Sequence, residues 1–200
     1  MNKFKSTIIA AAITTVFAAP ASAAVTIFSD NFDSYSPLTL NWTPPVASGW
    51  TVTAGTVDLI GTGFNDILPG NGNYIDLDGS TSNSGVFANS VNLTGGVTYT
   101  LSFGLAGSQR GSTETANINF GTASTSVTLG SSAGLTAYDL NFTPAASGIY
   151  SFSFENLGGD NIGLLLDNVS VSAVPEPETY AMLLAGLGML GFMLRRKATI

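Results

Sequence analysis

The chain of 200 residues contains no cysteine and no histidine. Without cysteine, no disulfide can stabilise the fold, even in a compartment whose redox conditions permit one. Without histidine, the chain lacks the side chain that most often serves as a general base or as a transition-metal ligand. The fold must therefore be held by packing, with an oxygen-bound ion such as calcium as the remaining metal option.

Basic residues are nearly absent from the middle of the chain. Between residues 24 and 174, Arg110 is the one positive charge against eleven of the thirteen acidic residues, so this region has a net charge near −10. Nucleic acids and anionic lipids bind to basic patches, so neither is expected as a partner. The charge is compatible with divalent cations and with neutral glycans, and it favours solubility.

The N-terminal residues have the three parts of a secretory signal peptide. Lys3 and Lys5 supply positive charge, residues 8–19 are apolar, and Ala21-Ser22-Ala23 offers small residues for cleavage. This pattern predicts a signal peptide over residues 1–23, with Ala21 and Ala23 as the small residues of the cleavage site. An uncleaved anchor helix is the alternative, although the apolar run is shorter than the ~20 residues that span a bilayer.

The C-terminal residues form a second three-part pattern. Val174-Pro175-Glu176-Pro177 is followed by an uncharged run from Tyr180 to Leu194 and then by Arg195-Arg196-Lys197. The prolines lack a backbone donor and cannot continue a helix or a central strand, so they predict a linker. The apolar run predicts a membrane helix over about residues 180–194, and the basic cluster is expected to stay on the cytoplasmic side.

In order and in residues, the segment 174–200 closely resembles the PEP-CTERM sorting signal of Gram-negative bacteria. The resemblance implies that a membrane-embedded exosortase processes this end of the chain, in species that make extracellular polysaccharide. It also implies that the chain before the linker lies outside the inner membrane, and then at the cell surface or in the extracellular matrix. Removal of the helix by that enzyme is a hypothesis.

The region 24–173 has the length of one domain and alternates with a period of two residues. In residues 97–103 and 116–120, every second side chain is apolar, and residues 149–154 show much the same pattern. Turn signals separate about nine to eleven such segments, which predicts an all-β, two-sheet sandwich. A jelly roll is favoured, with an immunoglobulin-like sandwich as the alternative. Residues 34–48, which contain three prolines, are expected to form a long surface loop.

Parts of this region resemble the galactose-binding-like jelly rolls, which include many carbohydrate-binding modules. The matching segments are residues 28–33 with Gly49-Trp50, residues 72–79 and residues 164–171. The resemblance implies a structural calcium between the start and the end of the sandwich. Asp33 and Asp167 are the candidate ligands, and Asp30 with main-chain carbonyls completes the set. The alternative is that these carboxylates cap turns or face water.

Aromatic residues suggest a ligand site. Trp42 and Tyr35 lie in the proline-containing loop, where they are expected to be exposed and to offer a platform on which sugar rings stack. Trp50 lies in an alternating segment and is expected in the core.

Two motifs could indicate catalysis. Asp76 and Asp78 are spaced to lie on one face of a strand, where a carboxylate pair can perform acid–base work. A pair at the edge of a loop is the alternative. Residues 130–134, Gly-Ser-Ser-Ala-Gly, match the pattern of a nucleophile elbow, but without histidine this segment is expected to be a hairpin turn.

These features together predict an exported protein of the cell envelope or the extracellular matrix. Its sandwich is expected to be non-catalytic and to bind or organise exopolysaccharide. The expected partners are an exosortase, the polysaccharide and the inner membrane. Two alternatives remain, a small carboxylate-based glycan-active enzyme and a purely structural surface protein without a specific ligand.

Overall fold

The computed structural model describes residues 24–174, 184 and 186–191. The chain divides into two compact units, residues 24–175 and the two ends of the chain. The predicted signal peptide, the residues Pro175, Glu176 and Pro177, and the basic cluster 195–197 all lie outside the described residues. In the terminal unit, residues 184 and 186–191 are helical, and the described part of the chain contains no helix of sufficient length and hydropathy to span a membrane.

Eleven strands make up the unit that spans residues 24–175, which agrees with the number predicted. In chain order they are β1 Val25–Asp30, β2 Thr51–Ala54, β3 Asp58–Gly61, β4 Asn73–Asp76, β5 Val86–Leu93, β6 Tyr99–Ala106, β7 Glu114–Phe120, β8 Ala123–Leu129, β9 Thr136–Phe142, β10 Gly148–Asn156 and β11 Leu165–Ala173. A single 3-10 turn, Val46–Ser48, is the one helical element described within this unit.

The strands form two antiparallel sheets. One has the order β3-β4-β11-β6-β9, and β1 pairs with β11 beyond the short β4. The other has the order β2-β5-β10-β7-β8. In the first sheet, Val25 at the start of β1 lies opposite Ala173 at the end of β11, so the two ends of the sandwich chain are neighbours. The predicted all-β, two-sheet sandwich is confirmed.

The period of two residues places the apolar side chains between the sheets. In β6, Tyr99, Leu101 and Phe103 are buried, and the intervening Thr100 and Ser102 are not. Because successive side chains of a strand point to opposite faces, one strand supplies both a core row and a solvent row. Full burial of each such apolar side chain stabilises the fold by about 2 kcal/mol.

The solvent rows consist mainly of small polar side chains. Register places Thr51, Ala88, Ser153, Asn119 and Ser124 in one row across all five strands of the second sheet. The outer face of the first sheet carries hydroxyl and amide pairs of the same kind, and there Ser102 donates to Asp139 at 2.5 Å. Both outer faces are therefore hydrophilic with few charges.

Two connections differ from expectation. The predicted surface loop 34–48 lies partly against β3, because Thr39 forms a bridge with Leu59 and the N–H of Trp42 donates to the carbonyl of Val57 at 2.7 Å. Residues 130–134 form a turn, as expected, but not a hairpin. They join β8 of one sheet to β9 of the other, and the strand-turn-helix of a nucleophile elbow is absent from this described segment.

Candidate functional site

Trp50 lies at the centre of an aromatic cluster in the core, as predicted. Its ring stacks on Phe87 with a centroid distance of 4.1 Å and an interplanar angle of 7°. Its indole Nε1 donates to Oδ2 of Asp30 at 2.9 Å. A buried tryptophan normally needs a partner for this N–H group, and here the partner is a carboxylate from the first strand.

The expectation that Trp42 is exposed is wrong. The side chain is only 6% exposed, because the backbone of residues 39–42 bonds to β3 and turns the ring inward. There it packs against Tyr35 at 5.0 Å and against Phe87 at 6.1 Å. Tyr35 is half-buried and donates to Oδ2 of Asp30 at 2.6 Å. Burial, followed by the hydrogen bond and the charge of Asp30, raises the pKa of Tyr35 to about 12.

An open groove lies between the segment after Leu40 and strand β2. Its volume is about 460 Å³, within the range of ligand-binding clefts. Trp42, Trp50, Pro44, Val46 and Val52 supply apolar surface. The remaining lining residues are Asn41, Thr43, Gly49, Thr51, Gly55 and Thr56. None of these eleven residues is charged, in a region of the chain with eleven acids.

The pairing of β1 with β11 brings the three calcium candidates into one neighbourhood. Asp30 lies opposite Val169, and Asp167 precedes a bulge in β11 where Asn168 has a positive φ of 53°. Asp33 accepts from the N–H of Asn73 at 2.8 Å. Burial raises the pKa of Asp167 to about 7, and the nearby charges of Asp33 and Asp30 act in the same direction. This electrostatic repulsion would favour a cation.

Asp30 is poorly suited to be the third ligand. Its Oδ2 accepts from Tyr35 and Trp50, and its Oδ1 accepts from the N–H of Phe32 at 2.8 Å. Within residues 24–174, no three acidic side chains are arranged as a group that could hold a metal ion. The oxygens of Asp33 and Asp167 also accept hydrogen bonds, from Asn31 and Asn73 and from Asn168 respectively, so calcium stays a prediction.

A second group of carboxylates is buried at the start of β11, two residues before Asp167, where Leu165 pairs with Asp76. Asp58 of β3 lies directly opposite Asp76 in β4, and Arg110 forms a salt bridge with Asp76. A pocket of about 280 Å³ opens onto these three side chains. Neither Asp58 nor Arg110 was singled out from the sequence. They meet Asp76 through strand pairing and through the loop after β6, which no local motif signals.

Each of these carboxylates has hydrogen-bonding partners. Asp58 accepts from the N–H of Asn41 at 2.6 Å and from the N–H and hydroxyl of Ser80 at 3.1 and 2.8 Å. Asp76 accepts from the N–H of Asp78 at 3.1 Å and from Arg110. Burial raises the pKa of Asp76 to about 7, although the charge of Arg110 and the Asp78 N–H oppose that rise.

Asp78 is not at an exposed loop edge. It is 0% exposed, and its Oδ1 has no hydrogen-bonding partner among the described residues. Its Oδ2 accepts from the N–H of Asp160 at 3.3 Å. Burial, with contributions from the charges of Asp160 and Glu114, raises its pKa. The two predicted acids are therefore buried structural groups, joined to each other through the backbone of Asp78.

The structure thus defines a two-sheet sandwich with a groove and a pocket on it, followed by a separate C-terminal segment. That segment, residues 173–197, matches the PEP-CTERM protein-sorting motif. The protein is accordingly an exported one that is sorted to the cell envelope or surface, and the motif implies processing by an exosortase. Among curated proteins, none has a sequence similar to this chain.

Solved structures share the jelly-roll-like fold at low sequence identity. The K1 cleaved adhesin domain of Lys-gingipain from Porphyromonas gingivalis W83 is 12% identical, with a TM-score of 0.51, over 74% of this chain and 98% of that one. The CBM22-1–GH10 modules of xylanase 10B from Clostridium thermocellum, complexed with xylohexaose, are 15% identical, with a TM-score of 0.47, over 77% of this chain and 29% of that one.

A CBM4 structure is 19% identical, with a TM-score of 0.40, over 51% of this chain and 70% of that one. At this level of identity the likeness to the adhesin domain shows a fold and no ligand. The predicted jelly-roll-like sandwich is confirmed by the two antiparallel sheets, together with that likeness.

Proposed function

We propose that the sandwich is a non-catalytic module of the cell envelope or extracellular matrix, and that it binds extracellular polysaccharide through a sugar ring that lies in the uncharged groove beside β2. The observation that carries this proposal is the lining of the groove, which combines two tryptophans with threonine and asparagine and contains no charged side chain. None of the acids of the domain lines the groove itself.

A groove of this composition suits a sugar ring. Pyranose rings present C–H groups on their faces and hydroxyl groups at their edges. The apolar surface of Trp42, Pro44 and Val46 suits the C–H groups on the face of the ring. The side chains of Asn41 and Thr51 suit the hydroxyl groups at its edges. Because little of either tryptophan ring is exposed, we expect the sugar to contact the edges of the tryptophan rings and to bind with modest affinity.

The buried carboxylates favour binding over hydrolysis. A catalytic acid and base must reach the bond that they cleave. Asp76 and Asp78 are almost fully covered, and Asp76 has both carboxylate oxygens engaged by an arginine and an N–H group. The predicted pair Asp76 and Asp78 therefore gives no support to the enzymatic alternative.

The ends of the chain complete the proposal. The precursor is exported by residues 1–23, and the apolar segment 180–194 holds it in the inner membrane until an exosortase acts at the motif around Pro175-Glu176-Pro177. The basic residues 195–197 stay on the cytoplasmic side. Calcium, held by Asp33 and Asp167, ties the segment after the first strand to the last strand and relieves the repulsion between these acids.

The test is binding of the recombinant sandwich, residues 24–174, to the producer's own extracellular polysaccharide. All eleven strands and the whole buried core lie within this segment. Val46 is 97% exposed at the groove, so Val46→Asp introduces a charge there without disturbing the core. Ile149→Asp makes the same kind of change at a 77% exposed position of β10.

We expect saturable binding by the wild type and by Ile149→Asp, with a loss of at least about tenfold in affinity for Val46→Asp, equal to about 1.4 kcal/mol. Calorimetry measures the affinity, and the polymer is recovered intact. Equal binding by both variants would place the ligand outside the groove. No binding by the wild type would favour a structural role without a specific ligand.

A further inference from the structure

The pocket that opens onto Asp58, Asp76 and Arg110 is a neighbour of the groove. The segment Thr39–Trp42 separates them, with Leu40 lining the pocket, and with Asn41 and Trp42 lining the groove. This segment is firmly placed, since Thr39 bridges Leu59 in β3 and the N–H of Asn41 donates to Asp58. The groove and the pocket therefore lie on either side of one fixed segment of four residues.

The lining of the pocket differs from that of the groove in charge. Asp58 and Asp76 contribute two carboxylates, and Arg110 contributes one guanidinium, which leaves one formal negative charge in excess when both carboxylates are ionised. Arg110 already forms a salt bridge with Asp76, so the unbalanced carboxylate is that of Asp58. A ligand that brings one positive charge would neutralise the site.

The other walls match a sugar ring. Leu40, Ile60 and Ile67 form an apolar side, and Asn65 and Ser80 offer an amide and a hydroxyl. The volume of about 280 Å³ suits one small group and not an extended chain. A bare metal ion would leave the apolar side without a partner.

We propose that this pocket takes a sugar residue with a free amino group, a hexosamine, within a polysaccharide whose neighbouring residue occupies the groove. The ammonium group lies toward Asp58, and the ring lies along Ile60 and Ile67. This inference rests on the proposed function and adds a substrate class to it, because it makes the pocket the site that distinguishes one polysaccharide from another.

Three oligosaccharides with the same length and the same β-1,4 linkage test this specificity. They are built from glucosamine, from N-acetylglucosamine or from glucose, so they differ only at carbon 2. We expect the wild-type sandwich to bind the glucosamine oligomer about tenfold more tightly than either of the others in calorimetry, as one partly buried charge pair would give.

A cationic oligomer is also attracted to any strongly acidic domain, so the control must remove the same charge elsewhere. Asp58→Asn removes the unbalanced carboxylate, and Asp139→Asn removes a carboxylate from the exposed outer face of β9. Asp58 also accepts hydrogen bonds from Asn41 and Ser80, so its replacement can disturb the neighbouring backbone. A second variant therefore leaves Asp58 unchanged. In Leu40→Trp, a larger side chain at a 40% exposed position of the rim closes the pocket.

The preference for glucosamine should disappear in Asp58→Asn and Leu40→Trp and persist in Asp139→Asn. A preference that survives in both pocket variants, or that Asp139→Asn weakens as much as Asp58→Asn does, would overturn the inference. So would equally tight binding of a lysine oligomer, which carries ammonium groups without a sugar ring.

The two proposals fail in different ways. If the wild type binds the three oligosaccharides equally, or binds only its own polysaccharide and none of the three, the groove keeps its role and the hexosamine pocket is refuted. If the wild type binds neither the oligosaccharides nor its own polysaccharide, both proposals fall.

Discussion

Replacing Asp76 with asparagine should change how the stability of the sandwich depends on pH. Asp76 is almost fully buried between β3 and the loop that carries Arg110, and burial raises its pKa from 3.8 to about 7. The folded state therefore binds this proton more tightly than the unfolded state does. The contribution of protonated Asp76 to the free energy of unfolding is fully present below about pH 4, and it is lost as the pH rises through 7.

The expected magnitude follows from the size of that pKa change. Each pKa unit corresponds to about 1.4 kcal/mol, so ionising Asp76 costs the folded state about 4 kcal/mol between pH 4 and pH 8. An asparagine side chain at this position would have the same shape without the titration, and its carbonyl oxygen could still accept from the N–H of Asp78. Arg110 is partly exposed, so its charge can turn toward water in the variant.

The assay is urea denaturation of residues 24–174 at intervals from pH 4 to pH 8. Asp76→Asn should equal the wild type in free energy of unfolding near pH 4 and exceed it increasingly at higher pH. Some pH dependence should remain in the variant, because Asp167 also has a raised pKa, of about 7. Asp139→Asn, at an exposed position, should follow the wild type. Parallel curves for Asp76→Asn and the wild type across this range would refute the reasoning.

Three further predictions concern other parts of the chain. Gly55→Ala should destabilise the sandwich by about 1–3 kcal/mol, because the added Cβ would lie 2.0 Å from the main-chain oxygen of Ser84. Gly63→Ala, also at a positive φ but with no atom within 4 Å, should cost less in the same thermal melts, and equal costs would contradict this account. Asp33→Ala combined with Asp167→Ala should lower the melting temperature only when calcium is present. An equal decrease in melting temperature in the presence of a chelator would show that these residues do not form a calcium site. Mass spectrometry of protein from the cell surface should find chains without the apolar segment 180–194, and a full-length C-terminus there would count against processing.

The sandwich could be predicted because its information is local. Alternation in segments such as residues 97–103 depends only on which residues are apolar, and turn residues mark where each strand stops. The sorting motif is likewise a contiguous pattern. Burial of Trp50 followed from the same alternation.

The candidate site depended on contacts that no local pattern encodes. Proline-containing segments are usually exposed, which is why the sequence predicts Trp42 at the surface. Its N–H instead donates to the carbonyl of Val57, just before β3, and any residue type except proline can make such a bond. Arg110 and Asp76 are 34 residues apart and meet only because of the order of strands in the sheet. The sequence shows that the acidic domain contains one arginine, but it does not show which carboxylate that arginine contacts.

The position of β11 determines how the domain would carry mechanical load. This strand is bonded along both sides, to β6 and to β1 with β4, and the chain leaves the sandwich directly after it at Val174. The hexosamine pocket lies at the opposite end, about 30 Å away along nine residues. Tension between a polymer held there and a tail held at the cell surface would pass from β3 and β4 into the start of β11 and then run along that strand. This direction is perpendicular to the hydrogen bonds of β11, so its ladders with β6 and β1 would be sheared at once and not opened one bond at a time. A pull that enters through the edge strand β9 should unfold the domain at a lower force, which single-molecule force spectroscopy can compare.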